Sequence, residues 1–171
     1  MPTHTIGIVI DGATGRLGTT QHLAALLAMR NEGGLRLANG DRLMPEPLLL
    51  GRDSQKLAAL AAKSAGLRWS TERDSCLADP TIAIYFDASA TGGRPERAHA
   101  AFAAGKHVYL EKPIATSLAD ALSLARAAKV TDKKGGVVQD KLFLPGLKKL
   151  RKLYEAKFFG RILSVRLDFG W

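Results

Sequence analysis

The chain has one cysteine, Cys76, and no stretch approaching the roughly 20 continuous apolar residues of a membrane span. A lone cysteine excludes an internal disulfide framework and suits a reducing compartment, so a cytoplasmic location is expected. No membrane partner is expected either. The N-terminus has no basic region ahead of a long apolar run, since residues 6–10 are strand-length and Asp11 ends them. No His, Cys or Asp spacing suggests ligands for a metal, so none is expected. His4 and His22 are isolated in sequence; His22 is expected at the surface or in helix–sheet packing, and structural roles are expected for His99 and His107. Cys76 has no basic neighbour to activate it as a nucleophile, and Trp69 and Trp171 read as packing residues. There is no internal repeat and no low-complexity segment.

What the chain does have is enough length, 171 residues, for one domain with a proper core, and an ordinary hydrophobic content of 46%. Its net charge of +9 is unevenly spread: residues 129–161 hold ten Lys and Arg against three acids. Such a run suits an anionic surface. No aromatic-rich strand, zinc-ligand cluster or helix-turn-helix spacing accompanies it, so a solvated helix face is expected and nucleic acid is not.

Strand-like and helix-like segments alternate. Residues 5–11 are apolar and β-branched, and 16–29 follow with helical periodicity. Residues 30–46 read as a long connection, 47–51 as the second strand, and 55–65 as a helix capped by Ser54. A short strand at 67–70 and a clear one at 82–88 come next. An Ala-rich helix at 94–104 leads to a strand at 107–110, and Ser117 caps a helix at 118–130. Then come a strand at 136–139, a basic amphipathic helix at 144–157 and a strand at 161–168. Alternation of this kind requires right-handed crossovers, hence an α/β fold with a Rossmann-type, doubly wound parallel sheet.

Between the first strand and first helix lies Gly12-Ala13-Thr14-Gly15-Arg16-Leu17-Gly18, a G-x-x-G-x-x-G variant of the dinucleotide fingerprint. Gly12 turns the chain sharply, Gly15 leaves no Cβ where a pyrophosphate approaches, and Gly18 lets helix and strand pack. The free N–H groups of the helix then face the phosphates. The second strand ends Leu50-Gly51-Arg52-Asp53. Arg52 suits a ribose 2′-phosphate, which points to NADP, with NAD as the alternative. Asp53 either serves the ribose hydroxyl of NAD or starts the next helix. Glu111-Lys112-Pro113 stand at the carboxyl end of the 107–110 strand, the sheet edge where ligands bind. Lys112 there is either a solvated loop lysine or a group that touches substrate or cofactor.

Three stretches together resemble one family: the glycine turn, Ala104-Gly105-Lys106-His107-Val108 leading into Glu111-Lys112-Pro113, and Gly160-Arg161-Ile162-Leu163-Ser164-Val165. They are similar to the glucose–fructose oxidoreductase / inositol dehydrogenase / rhizopine-catabolism (Gfo/Idh/MocA) oxidoreductases, from about residue 5 onward. The resemblance implies hydride transfer between NAD(P)(H) and a hydroxyl or carbonyl carbon, often on a sugar or cyclitol. It implies a nucleotide domain over 1–143, and in 144–171 the linking helix and first strand of a second, incomplete domain. By that analogy Lys112 hydrogen-bonds the reacting oxygen, Glu111 supports it, and Lys112–Pro113 is cis. Gly12 to Gly18, Arg52, Asp53, Ala90, Thr91, Glu111, Lys112 and Pro113 would meet the cofactor.

Several departures qualify the analogy. Gln139, Asp140 and Lys141 stand where many members have an aromatic, Asn and Arg. Arg94, rather than His99, takes the place of a loop histidine. The family's catalytic His lies in a second domain absent from this sequence, so little turnover is expected from these 171 residues alone. Glu111 beside Lys112 disfavours a general base there, leaving an electrostatic positioner. The competing reading is a non-catalytic NADP(H) sensor. The strand at 161–168 would lack sheet partners, so it should be disordered, docked on the nucleotide domain, or paired with another copy.

Overall fold

The computed structural model describes residues 1–168; the expectations about Trp171 lie outside them. Central to the sheet is β1 (Thr3–Asp11), paired in parallel with β3 (Arg42–Leu50) on one side and β5 (Ile82–Asp87) on the other. Beyond β5 follow β6 (His107–Leu110) and β7 (Gly135–Val137), also parallel. On the far side of β3 lie β2 (Leu35–Arg36), which is antiparallel, and β4 (Trp69–Ser70). Without β2 the order is β4-β3-β1-β5-β6-β7, the doubly wound Rossmann arrangement.

Both faces of the sheet are covered, which is why its strands read as continuous apolar runs. Side chains alternate along a strand. Val9, Leu48 and Leu50 therefore pack with Cys76 of α3 (Arg73–Ala78), Ala98 of α4 (Arg94–Ala103) and Leu124 of α5 (Leu118–Val130). Their neighbours Ile10 and Leu49 pack oppositely, against Leu23 and against Leu57 and Ala61 of α2 (Ser54–Lys63).

The expected first helix is helical from Arg16, but Gly18–Leu23 is π-helical and only Ala24–Asn31 is regular α1. The second strand starts at Arg42, well before the expected 47, and part of the supposed connection is sheet. Pro45 and Pro47 permit this. Leu49 donates its amide outward to the Arg68 carbonyl, so alternation aims the missing N–H groups of 45 and 47 to the same side. There, β2 reaches only Arg42 and Leu43, and β4 only Leu49 and Leu50. No ladder bond is lost. The α2 cap is Asp53, not Ser54: its carboxylate accepts from the Lys56 amide at 3.0 Å. Trp69 is 41% exposed rather than packed, and α3 was not anticipated.

The chain divides into two compact units, Met1–Val138 and one that begins at Gln139; the expected boundary was 143/144. The second unit holds a 3-10 turn (Asp140–Phe143) and α6 (Pro145–Glu155). Residues 161–168 are exposed and belong to no sheet, a correction to the strand expected there. Strand N–H and C=O groups need a neighbouring strand, and none of the described residues supplies one.

Candidate nucleotide-binding site

At the carboxyl edge of β1 the glycine turn is shaped by contacts that exclude side chains. Gly12 has φ of +82°, and a Cβ there would lie 2.7 Å from the Ser89 Cα. A Cβ on Gly18 would lie 2.4 Å from the Gly12 carbonyl oxygen, so the helix packs directly on the turn. The Gly12 and Ala13 amides donate to the Leu50 carbonyl at 3.0 and 3.2 Å. The amides of Thr14 and Arg16 have no hydrogen-bond partner among the described residues, and so remain open to an anion.

This turn forms one wall of a cleft of about 380 Å³. Asp11, Gly12, Thr14 and Gly15 come from the end of β1, Gly51 and Arg52 from β3, and Arg73 from beyond β4. Ala88, Ser89, Ala90 and Gly92 from the end of β5, with Arg97, close the other side. Among the cofactor residues expected from sequence, Gly12, Thr14, Gly15, Arg52 and Ala90 line it. Ala13 is buried behind it, and Gly18 supports the turn. Arg16, Leu17, Asp53, Thr91, Glu111, Lys112 and Pro113 are not among its lining residues. The Lys56 amide, then its ammonium, hold the Asp53 carboxyl below the usual carboxylate range. Thr91 offers its carbonyl to the Arg94 amide.

Two buried carboxylates at strand ends organise the walls. Asp87 is fully buried and accepts from the Ser89 amide (2.9 Å), the Ser89 hydroxyl (2.7 Å) and Arg97 Nε (2.8 Å). Arg97 also donates through Nη1 to the Gly92 carbonyl and through Nη2 to the Ala90 carbonyl. Asp11 accepts from the Tyr85 hydroxyl (2.5 Å) and Arg73 Nε (3.0 Å). Burial, and then the facing Asp11 charge, push the Tyr85 hydroxyl far above its ordinary range, so it stays a donor. Sequence reading missed Asp11, Arg73, Asp87 and Arg97. The available signal was an acid ending each of two apolar strands.

Beside the cleft, the Glu111 amide donates to the Asp87 carbonyl at 2.9 Å. Lys112–Pro113 is cis. Arg94, buried, donates to the carbonyls of Glu111 (2.9 Å), Pro113 and Ser89 (2.6 Å). It thus ties the loop after β6 to the loop after β5. Glu111 is 4% exposed. Its Oε2 accepts from the Lys112 amide at 3.0 Å, and its Oε1 meets His22 Nε2 at 2.7 Å. Glu111 therefore supports Lys112 through the main chain, not by pairing with its ammonium, which has no partner among the described residues. His22 is not isolated, nor is His4, whose Nε2 lies 2.9 Å from Asp41 Oδ2. The π-helical turn carries His22, whose ring packs edge-on against Phe86 at 4.5 Å. His99 meets Ser123, and His107 accepts from the Lys134 amide, both structural roles. Burial pushes the Cys76 thiol up, away from nucleophilic use.

The sequence profile of the Gfo/Idh/MocA oxidoreductase family, NAD-binding Rossmann fold, matches residues 6–139. A D-xylose dehydrogenase of Paenarthrobacter nicotinovorans is 46% identical over 170 residues, 99% of this chain and 44% of that protein. An oxidoreductase of Formosa agariphila, P35, is 24% identical over 120 residues, 70% of this chain and 37% of its own. The chain spans less than half the length of the curated relatives it matches. Among solved structures, a levoglucosan dehydrogenase in complex with NADH and levoglucosan superposes with a TM-score of 0.80 at 21% identity, over 94% of this chain and 41% of that one. That likeness speaks to the fold.

Proposed function

This chain belongs to the Gfo/Idh/MocA family of oxidoreductases with an NAD-binding Rossmann fold, and on that premise we propose that it is the cofactor-holding part of an NADP(H)-dependent sugar dehydrogenase. One observation carries the proposal: Gly12, Thr14 and Gly15 of the glycine turn line a cleft that Arg52 also lines, and the Thr14 amide there has no partner among the described residues. The donor set fits a dinucleotide. Gly15 and the open Thr14 amide suit a pyrophosphate, and Arg52 suits a further phosphate. Engagement of Asp53 with Lys56 leaves its carboxylate less available to a ribose hydroxyl, which favours NADP(H) over NAD(H).

The nicotinamide ring, when bound, supplies the hydride acceptor or donor. The protein's part is positioning. Arg94 and the His22–Glu111 pair hold the loop that presents Lys112. Its ammonium donates a hydrogen bond to the sugar oxygen and stabilises alkoxide character as the hydride moves. The relative's name points to an aldose such as D-xylose as the first substrate to try. No helix of the described residues is long and apolar enough to cross a membrane, and the single cysteine fits a cytoplasmic setting.

The test is a titration of the purified chain with NADPH, followed by nucleotide fluorescence. Saturable binding is expected. A flat titration through millimolar nucleotide would overturn the proposal.

A further inference from the structure

Three arginines line the cleft, and their hydrogen bonds separate them. All three nitrogen positions of Arg97 are engaged, by Asp87, Gly92 and Ala90, so it is a strut for the loop after β5. Arg73 is different. Its Nε is held by Asp11 at 3.0 Å, with the Tyr85 hydroxyl also beside the guanidinium, and no carbonyl or second carboxylate engages its Nη groups among the described residues. Arg52 is exposed and has none there either.

The topology delivers these two cations together. Strands β3 and β4 run parallel with Leu50 opposite Ser70, and the Gly51 amide donates to the Ser70 carbonyl at 3.3 Å. Arg52 and Arg73 follow within a few residues of that pair, at the same sheet edge. Of the nearby acids, Asp74 is exposed on α3 and three others are engaged. Asp53 caps α2 and pairs with Lys56 at 3.3 Å, Glu72 Oε1 accepts from the Thr71 hydroxyl, and Asp11 already serves Tyr85 and Arg73. Asp11 also fixes the Arg73 side chain before any ligand arrives, which reduces the entropy lost on binding. The free Nη edge of a guanidinium is a planar fork suited to two phosphate oxygens.

We propose that Arg73, presented by Asp11, joins Arg52 in a two-arginine receptor for a ribose 2′-phosphate, and that this pair sets the preference for NADP(H) over NAD(H). The assignment rests on the dinucleotide reading above and extends it to a residue on another element, α3.

Dissociation constants for NADPH and NADH are measured by calorimetry on the full 171-residue chain, as wild type, Arg52→Gln, Arg73→Gln and Arg73→Lys. Each Gln variant is expected to weaken NADPH about tenfold or more while NADH stays within about twofold, because only the 2′-phosphate loses a charge-assisted partner. Arg73→Lys, which keeps the charge without the fork, falls between. Adenosine 2′,5′-bisphosphate follows the NADPH pattern and adenosine 5′-phosphate that of NADH. Equal loss of both dinucleotides in Arg73→Gln assigns Arg73 to structure alone and overturns the proposal, as does an unchanged NADPH/NADH ratio. Since Arg73→Gln removes the cation from buried Asp11, NADH affinity is its folding control. If it does not fold, the ratio in Arg73→Lys decides. A wild-type chain that binds neither dinucleotide overturns the dinucleotide reading itself, and this assignment with it.

Discussion

His22 and Glu111 stand 89 positions apart in the chain and 2.7 Å apart in space, and nothing local in sequence joins them. The glycine turn was legible because its residues act on one another across six positions. Arg52 and Ala90 were legible because they follow strands. Asp11, Arg73, Asp87 and Arg97 were not, since each works through a partner that only the folded sheet brings close. Lys112 is singled out in the sequence by its place at a strand end, but how Glu111 supports it is not legible there. Glu111 turns to its own backbone neighbour and to His22. Replacing His22 by Ala strands Glu111 Oε1 in a site with little solvent. The expected cost is about 1–3 kcal/mol of stability, read as a lower urea midpoint, with His22→Gln recovering part of it. An unchanged midpoint would show that the pair carries no weight.

Elements with a strong local signal were read most closely. Ser117 caps α5 through the Asp120 amide, and the strand at 107–110 has the expected bounds. The failures have physical causes. Two prolines concealed the front half of β3, because proline ends a central strand but is harmless where its missing N–H faces an unpaired edge. Asp53 rather than Ser54 caps α2, a difference of one residue that both side chains permit. Segment 161–168 alternates like a strand yet has no ladder partner among the described residues. Packing weight should therefore concentrate in the sheet. Leu49, fully buried between β1 and α2, should cost about 2–5 kcal/mol when replaced by Ala. Leu150, half exposed on α6, should cost within about 0.5 kcal/mol. Thermal unfolding of the two variants compares them, and equal shifts would contradict this division of the core.

At the scale of the whole chain, alternation along the sequence was enough to give the sheet and its winding, because parallel strands need crossovers and crossovers have one hand. The order β4-β3-β1-β5 then gathers the ends of four strands around one cleft. The positive charge on the lips of that cleft is local and built, with Arg52 and Arg73 on one side and Arg97 on the other. The most direct measurement is an amide-shift titration of isotope-labelled chain with NADPH. The largest changes are required at Thr14, Gly15, Arg52, Ser89 and Ala90. Shifts that leave all five unmoved, or a spectrum indifferent to millimolar NADPH, would contradict the account.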